Sequence, residues 1–158
     1  MQPEGWRTMS SLAIVQDMMA LTGRYYARLR ELVLQVPEDR LGARVGDSGL
    51  TVTETVRHVC EADHGLVSLI AGTPRKVEAI VESKAGLLSG LERSEAMMMQ
   101  FLEGLDPELL EARREVPTWW GQGEPRSGRL ILMHLLAHKY YHCGQLPSIL
   151  HVLATETE

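Results

Sequence analysis

Three histidines stand four residues apart near the C-terminal end of the 158-residue chain, at His134, His138 and His142. Four residues turn an α-helix by about 400°, so neighbouring members of this series lie on nearly the same face. Two imidazoles at that spacing can bind one metal ion. Over the whole series, however, the helix turns about 800° and rises about 12 Å. The series therefore predicts a helix that offers two metal ligands, and a third must come from elsewhere in the chain.

The sequence of the rest of the chain also predicts helices. Alternating strand patterns are nearly absent, and the good helix formers Leu, Ala, Glu, Arg and Met dominate. Four segments carry apolar residues at helical spacing and end at Gly or Pro. They predict helices over 10–35, 52–71, 83–105 and 127–153, with a short helix at 108–113. We expect one all-α domain over 1–158, a four-helix bundle with a long loop before the last helix. The long connections near 37–49 and 107–128 leave the order of the helices open.

Composition excludes several classes of protein. The net charge of −5 and a pI of about 5.7 argue against a nucleic-acid partner. A basic stretch at Arg24, Arg28 and Arg30 is interpreted as a solvated helix face. No run reaches the roughly 18 apolar residues that span a bilayer, so we expect no membrane partner. Two cysteines and no leader pattern predict a cytoplasmic protein.

His58 is the best candidate for the third ligand. It lies beside the apolar stripe of the second predicted helix, so its ring should point into the bundle. His64 and His151 are the alternatives, and an Asp, Glu or Cys could replace one imidazole. Cys143 lies about 100° around the helix from its neighbour His142, which makes it a poor co-ligand. The competing interpretation is that these histidines are hydrogen-bonded core residues without a metal.

Two glutamates share the region of His58. Glu54 stands four residues before it and Glu61 three residues after it. Either could hold the free N–H of a ligand histidine or act as a general base. A solvated helix face is the alternative interpretation of both.

Four further residues are candidates for the wall of a pocket. Tyr141 and Gln145 each stand three residues after a histidine of the series and share its side of the helix. Trp119 and Trp120 lie in the long loop before the last helix, where they either wall a pocket or cover the end of the bundle.

Two stretches of this sequence resemble the DinB/YfiT-like superfamily of metal-dependent bundle proteins. One is Thr51 to Asp63 around His58, which is similar to the second helix of that family with its single ligand histidine. The other is His134 to Leu146, which resembles its last helix, a histidine pair followed by a small residue, Gly and Gln. The resemblance implies His58, His138 and His142 as metal ligands and His134 as a pocket residue. Two departures stand out, since the family often has Glu and Arg where this chain has Lys139 and Cys143.

The same resemblance implies a function. The family holds nickel, zinc or a similar divalent ion and is often dimeric, and some relatives are thiol S-transferases that use bacillithiol or mycothiol. We therefore expect a homodimer whose metal activates a small-molecule thiol for attack on a small electrophile. A non-catalytic metal-binding protein, of a stress-response or ligand-sequestering kind, is the alternative.

Overall fold

The computed structural model describes residues 5–44, 49–74, 78–117, 120 and 123–155, with the main chain alone for 5–12 and 153–155. Its helices are α1 (Gly5–Gln35), α2 (Val52–Ala71), α3 (Lys84–Glu103), α4 (Pro107–Glu111) and α5 (Gly128–Thr155). A short 3-10 helix, Glu38–Arg40, follows α1. The four long helices form the predicted bundle, and α4 is the short helix expected in the last connection.

Helix ends follow local side-chain chemistry. Thr51 accepts a hydrogen bond from the Glu54 amide at 3.1 Å, and the Glu54 carboxylate accepts one from the Thr51 amide at 2.8 Å. This reciprocal pair satisfies two amides that the first turn of α2 would otherwise leave open. At the other end Gly72 adopts φ +68°, a left-handed conformation that glycine reaches without strain. Two local signals thus confine α2 to the predicted range.

The order of the helices explains the two long connections. α1 packs against α3 and α5, and α2 packs against the same two helices, so α1 lies diagonally across the bundle from α2. The chain must therefore cross the bundle end between α1 and α2, and again between α3 and α5. Both long connections link diagonal helices. This arrangement differs from a simple up-down-up-down order, in which consecutive helices are neighbours.

The core is the apolar space between the four long helices. Its fully buried members come from all of them and include Leu29, Val56, Leu91 and Leu135. Burial of such side chains contributes about 1.5–3 kcal/mol each and is the main stabilising term of the bundle. None of the helices in the described part of the chain has the length and apolar character needed to cross a membrane.

The connection before α5 is fixed by a two-stranded antiparallel ladder. β1 (Arg113–Arg114) pairs with β2 (Arg126–Ser127), with Arg113 opposite Ser127. The Arg114 guanidinium also donates to the Ile70 carbonyl at the end of α2, at 3.2 and 3.3 Å. These contacts hold the start of the loop against α2, so that residues 115–117 lie over the space between α2 and α5.

Candidate metal centre

Three imidazoles meet between α2 and α5. The Nε2 atom of His58 on α2 lies 2.8 Å from Nε2 of His138 on α5. The Nε2 atom of His142, one turn further along α5, lies 3.1 Å from the same atom of His138. One ring nitrogen from each histidine lies within 4.8 Å of the other two. The bundle therefore brings to one point the three histidines that the resemblance implies as ligands.

This geometry fits a divalent transition metal. Nitrogen ligands about 2.0–2.1 Å from a tetrahedral zinc ion are roughly 3.3 Å from one another. The separations of 2.8 and 3.1 Å are slightly shorter, and the third pair, His58 and His142, lies within 4.8 Å, so side-chain movements of about an ångström bring all three nitrogens to ligand distances. Three protein ligands also leave a fourth position for a water or a substrate, which is typical of catalytic sites.

Gln145 orients one of the rings. Its Oε1 lies 2.9 Å from Nδ1 of His142. Because an amide oxygen can only accept, Nδ1 carries the proton, and the lone pair of the ring is on Nε2. Nε2 is the atom that faces the other two histidines. Such a contact fixes both the tautomer and the orientation of a ligand histidine.

His138 has an unusual environment. Its Nδ1 atom is buried and has no hydrogen-bond partner in the described part of the chain. A buried polar atom without a partner costs about 1–3 kcal/mol, and such atoms in native proteins are often found at functional sites. Burial, followed by the neighbouring His142 and His58, lowers the pKa of His138 to about 3. Burial also lowers the pKa of His142. Both rings are therefore neutral near pH 7, which is the form that binds metals.

The histidines line a cavity of about 1000 Å³ between α2, α5 and the loop before α5, here called the histidine cavity. Apolar residues form much of its remaining wall, among them Leu50, Leu66, Leu69, Val116 and Pro117. A cavity of this size, with apolar walls and a few convergent polar groups, is typical of small-molecule sites. The sequence did not indicate these apolar wall residues, because only the fold shows which of them border the cavity.

The two candidate glutamates have different positions. Glu61 lines the histidine cavity. Glu54 instead uses its carboxylate in the cap of α2 and in an ion pair with Arg44 at 2.6 Å. The Thr51 amide, then the contact with Arg44, lowers the pKa of Glu54. A third acidic residue, Glu115, lines the cavity from the loop and was not indicated by sequence reasoning.

The candidate pocket residues lie at or near the cavity. His134, Tyr141 and Gln145 line it. The ring of Trp120 lies against that of His134, with centroids 4.4 Å apart. Trp119 lies outside the described residues.

The alternative ligands point away from the three histidines. His64 lines a small separate cavity with Cys60 and Ile80. The thiol of Cys143 donates to the carbonyl of Tyr25 on α1, with sulfur and oxygen 3.6 Å apart. His151 lies further along α5 than His142, and its side chain is exposed.

The protein is thus a helical bundle in which three histidines of two helices meet at one cavity and could hold a metal ion. The chain belongs to the DinB family, whose model matches residues 22–156.

Solved structures show the same fold. A DinB-like protein, YjoA, from Bacillus subtilis is 17% identical, covers 87% of this chain and 92% of its own, and superposes with a TM-score of 0.71. A conserved protein from Enterococcus faecalis is 14% identical over 90% of this chain and 98% of its own, with a TM-score of 0.71. A DinB-like protein from Bacillus cereus is 15% identical over 83% and 86%, with a TM-score of 0.65. A comparison with curated proteins finds none that this sequence matches.

Proposed function

We propose that this DinB-family protein binds one divalent ion, nickel or zinc, through His58, His138 and His142. We further propose that it is a thiol S-transferase of the bacillithiol or mycothiol type, acting on small electrophiles. The convergence of three Nε2 atoms at the wall of the histidine cavity is the observation that supports both parts. The choice of thiol and of reaction rests on the family resemblance.

The chemistry follows from the ligand set. A cation held by three neutral imidazoles would keep its full charge and lower the pKa of a thiol that it binds toward neutrality. The thiol proton passes to a base. The sulfur then forms a bond to the electrophilic carbon, and the leaving group departs with the electron pair of the bond that breaks. Glu61 is the base in this proposal, because this residue lines the cavity, whereas the carboxylate of Glu54 caps α2.

The remaining cavity residues position the reactants. Leu66 and Leu69 on α2 and Val116 in the loop give the electrophile an apolar surface and exclude water from it. His134 and Tyr141 border the same space from α5, and Trp120 supports the ring of His134 from the loop.

The metal is tested first, by elemental analysis of protein loaded with nickel or zinc and then desalted. The wild type should retain one ion per chain, and H58Q, H138Q and H142Q should each lose most of it. H64Q is the matched control, since His64 is on the same helix as His58 but lines a different cavity. A wild type without bound metal, or H58Q, H138Q and H142Q proteins that keep it, would overturn the proposal.

The reaction is tested with chlorodinitrobenzene and either bacillithiol or mycothiol, following the thioether by its absorbance. Chloride is the leaving group. Metal-loaded wild type should form the thioether faster than H138Q and than chelator-treated protein. Retained metal without metal-dependent turnover would favour the alternative, a non-catalytic metal-binding or ligand-sequestering protein of a stress response.

We also propose a cytoplasmic homodimer. Leu130 and Met133 are three residues apart on one face of α5, and their side chains are 43% and 55% exposed. An exposed apolar stripe of this kind supports a contact with a second copy of the chain. The free cysteines Cys60 and Cys143 agree with a reducing compartment. Light scattering should give twice the monomer mass for the wild type and the monomer mass for M133E.

A further inference from the structure

A second depression lies beside the histidine cavity, between α1 and α5. It has a volume of about 860 Å³ and is here called the α1–α5 groove. Its wall combines two arginines with three tyrosines: Arg24, Arg28, Tyr25, Tyr140 and Tyr141. The sequence interpretation of this basic stretch as a solvated face did not include the aromatic wall that α5 supplies.

The groove is positively charged. Arg24 and Arg28 are one helical turn apart, so both guanidinium groups are on the same side of α1. Arg28 forms an exposed ion pair with Glu31 at 2.7 Å, whereas Arg24 has no ion pair with a described residue. No acidic residue is among the described residues that line the groove. Guanidinium groups in this arrangement are well suited to carboxylates and phosphates.

The aromatic wall offers an apolar surface next to these charges. Tyr140 and Tyr141 are exposed, at 68% and 61%. The ring of Tyr140 lies 6.1 Å from that of Tyr25, in a tilted arrangement. Exposed rings held on two packed helices can contact an aryl or alkyl group without first becoming ordered. The groove therefore suits a molecule with an apolar body and an anionic end.

Two residues connect the groove with the histidine cavity. Tyr141 and Gln145 line both. The charged side chains that line the two spaces have opposite signs. The described lining of the histidine cavity contains Glu61 and Glu115 and no lysine or arginine, whereas the groove is lined by Arg24 and Arg28. A ligand that passes Tyr141 would have its anionic part at the arginines and its other end near the histidines.

We propose that the α1–α5 groove binds a small organic anion, a carboxylate or phosphate attached to an apolar body. Within the proposed S-transfer reaction, on which this second part rests, the thiol is of the bacillithiol type and the anion is its acidic end, because mycothiol has no acid group. Arg24 and Arg28 bind that end, and Tyr141 separates it from the reacting sulfur. The groove itself needs neither metal nor thiol to bind an anion.

The binding test uses metal-free protein and three probes that each carry one phenyl ring, and isothermal titration calorimetry measures their affinity. Phenylpropionate and phenyl phosphate distinguish the two kinds of anion, and phenylpropionamide is the neutral analogue. At least one anion should bind wild type about tenfold more tightly than the amide, because a hydrogen bond from a guanidinium to an anion is stronger than one to a neutral amide. R24Q/R28Q should remove that preference. R93Q/R129Q is the matched control, which loses the same charge from surface sites outside the groove.

Three results would overturn the proposal. The first is equal binding of the anions and the amide to wild type. The second is an equal loss of anion binding in R24Q/R28Q and in the control. The third is a wild-type dimer that R24Q/R28Q converts to a monomer in light scattering, because the groove would then be a subunit interface.

The second part is tested by steady-state kinetics. R24Q/R28Q should raise KM for bacillithiol, the acidic thiol, about tenfold and leave KM for cysteamine, a thiol without an acid group, unchanged. An unchanged KM for the acidic thiol would remove the link between groove and reaction. Absence of turnover in wild type would remove the proposed function but would not affect the binding test, which uses no metal and no thiol.

Discussion

Lys139 on α5 and Asp63 on α2 form an ion pair with Nζ and Oδ1 2.6 Å apart, and both side chains are completely buried. The hydroxyl of Tyr26 on α1 donates to Oδ2 of Asp63 and lies 2.9 Å from Oγ of Ser94 on α3. The four residues thus join all four long helices. Lys139 directly follows His138, and Asp63 is on the same helix as His58. The pair therefore ties together the two helices that carry the imidazoles.

Removing one member of this pair should be strongly destabilising. K139M leaves the Asp63 carboxylate buried without its cation, which typically costs about 3–5 kcal/mol. Urea unfolding followed by circular dichroism should show a loss of that size. Burial, which outweighs the neighbouring Lys139, raises the pKa of Asp63, so part of the loss is relieved when this carboxyl takes up a proton.

The double variant K139M/D63L is the control for that prediction. It replaces both charges by apolar side chains and leaves no buried ion, so it should recover most of the lost stability. If it were as unstable as K139M, packing and not charge would explain the loss.

The sequence predicted the helices where local signals mark their ends. Thr51 and Gly72 enclose α2, and the structure gives the predicted range. The start of the first helix was wrong, because it was predicted at residue 10 and α1 begins at Gly5. A helix start without a capping signal cannot be placed from the local sequence.

Contacts between helices were less predictable. Lys139 was noted as a departure from the family pattern, but its partner is 76 residues away in the chain. Each of the two charges stands on the apolar side of its own helix, which indicates burial but does not identify the partner. Two neighbouring tyrosines on α1 have different environments, because Tyr25 lines the α1–α5 groove and Tyr26 is fully buried.

The position of Glu54 in the sequence is compatible with two roles. Its distance of four residues from His58 suggested a role beside the metal, but its distance of three from Thr51 is that of a capping box. The structure places its carboxylate in the cap and against Arg44.

Gln145 should affect metal affinity without being a ligand. Q145L removes the acceptor for the Nδ1 proton of His142, so the ring loses its fixed tautomer and orientation. Metal affinity should fall about 10–100-fold, as is typical when a ligand histidine loses the hydrogen-bond partner of its second ring nitrogen. Competition with a chromogenic chelator measures the effect, and Q100L on the exposed side of α3 is the control. Equal affinities of wild type and Q145L would show that Gln145 does not orient the ring.

The metal-free protein should lose stability in acid. Burial and the adjacent histidines lower the pKa of His138 to about 3, below its value in the unfolded chain of about 6.5. Between these values the unfolded chain binds more protons at this position, so the free energy of unfolding falls as the pH falls from about 6.5 toward 3. Urea titrations across that range should show a shallower fall for H138Q than for wild type. Parallel curves for the two proteins would contradict the assignment.

Two glycines on α5 should respond oppositely to alanine. A Cβ at Gly128 would lie 2.0 Å from the carbonyl oxygen of Leu109, a backbone atom that cannot move aside without shifting α4. G128A should therefore lose about 1–3 kcal/mol of stability, the usual result of overpacking. A Cβ at Gly144 meets no described atom within 4 Å. G144A should gain about 0.5–1 kcal/mol, because alanine is the better helix former. Thermal and urea unfolding measure both, and a G128A protein as stable as wild type would show that α4 does not pack tightly on the start of α5.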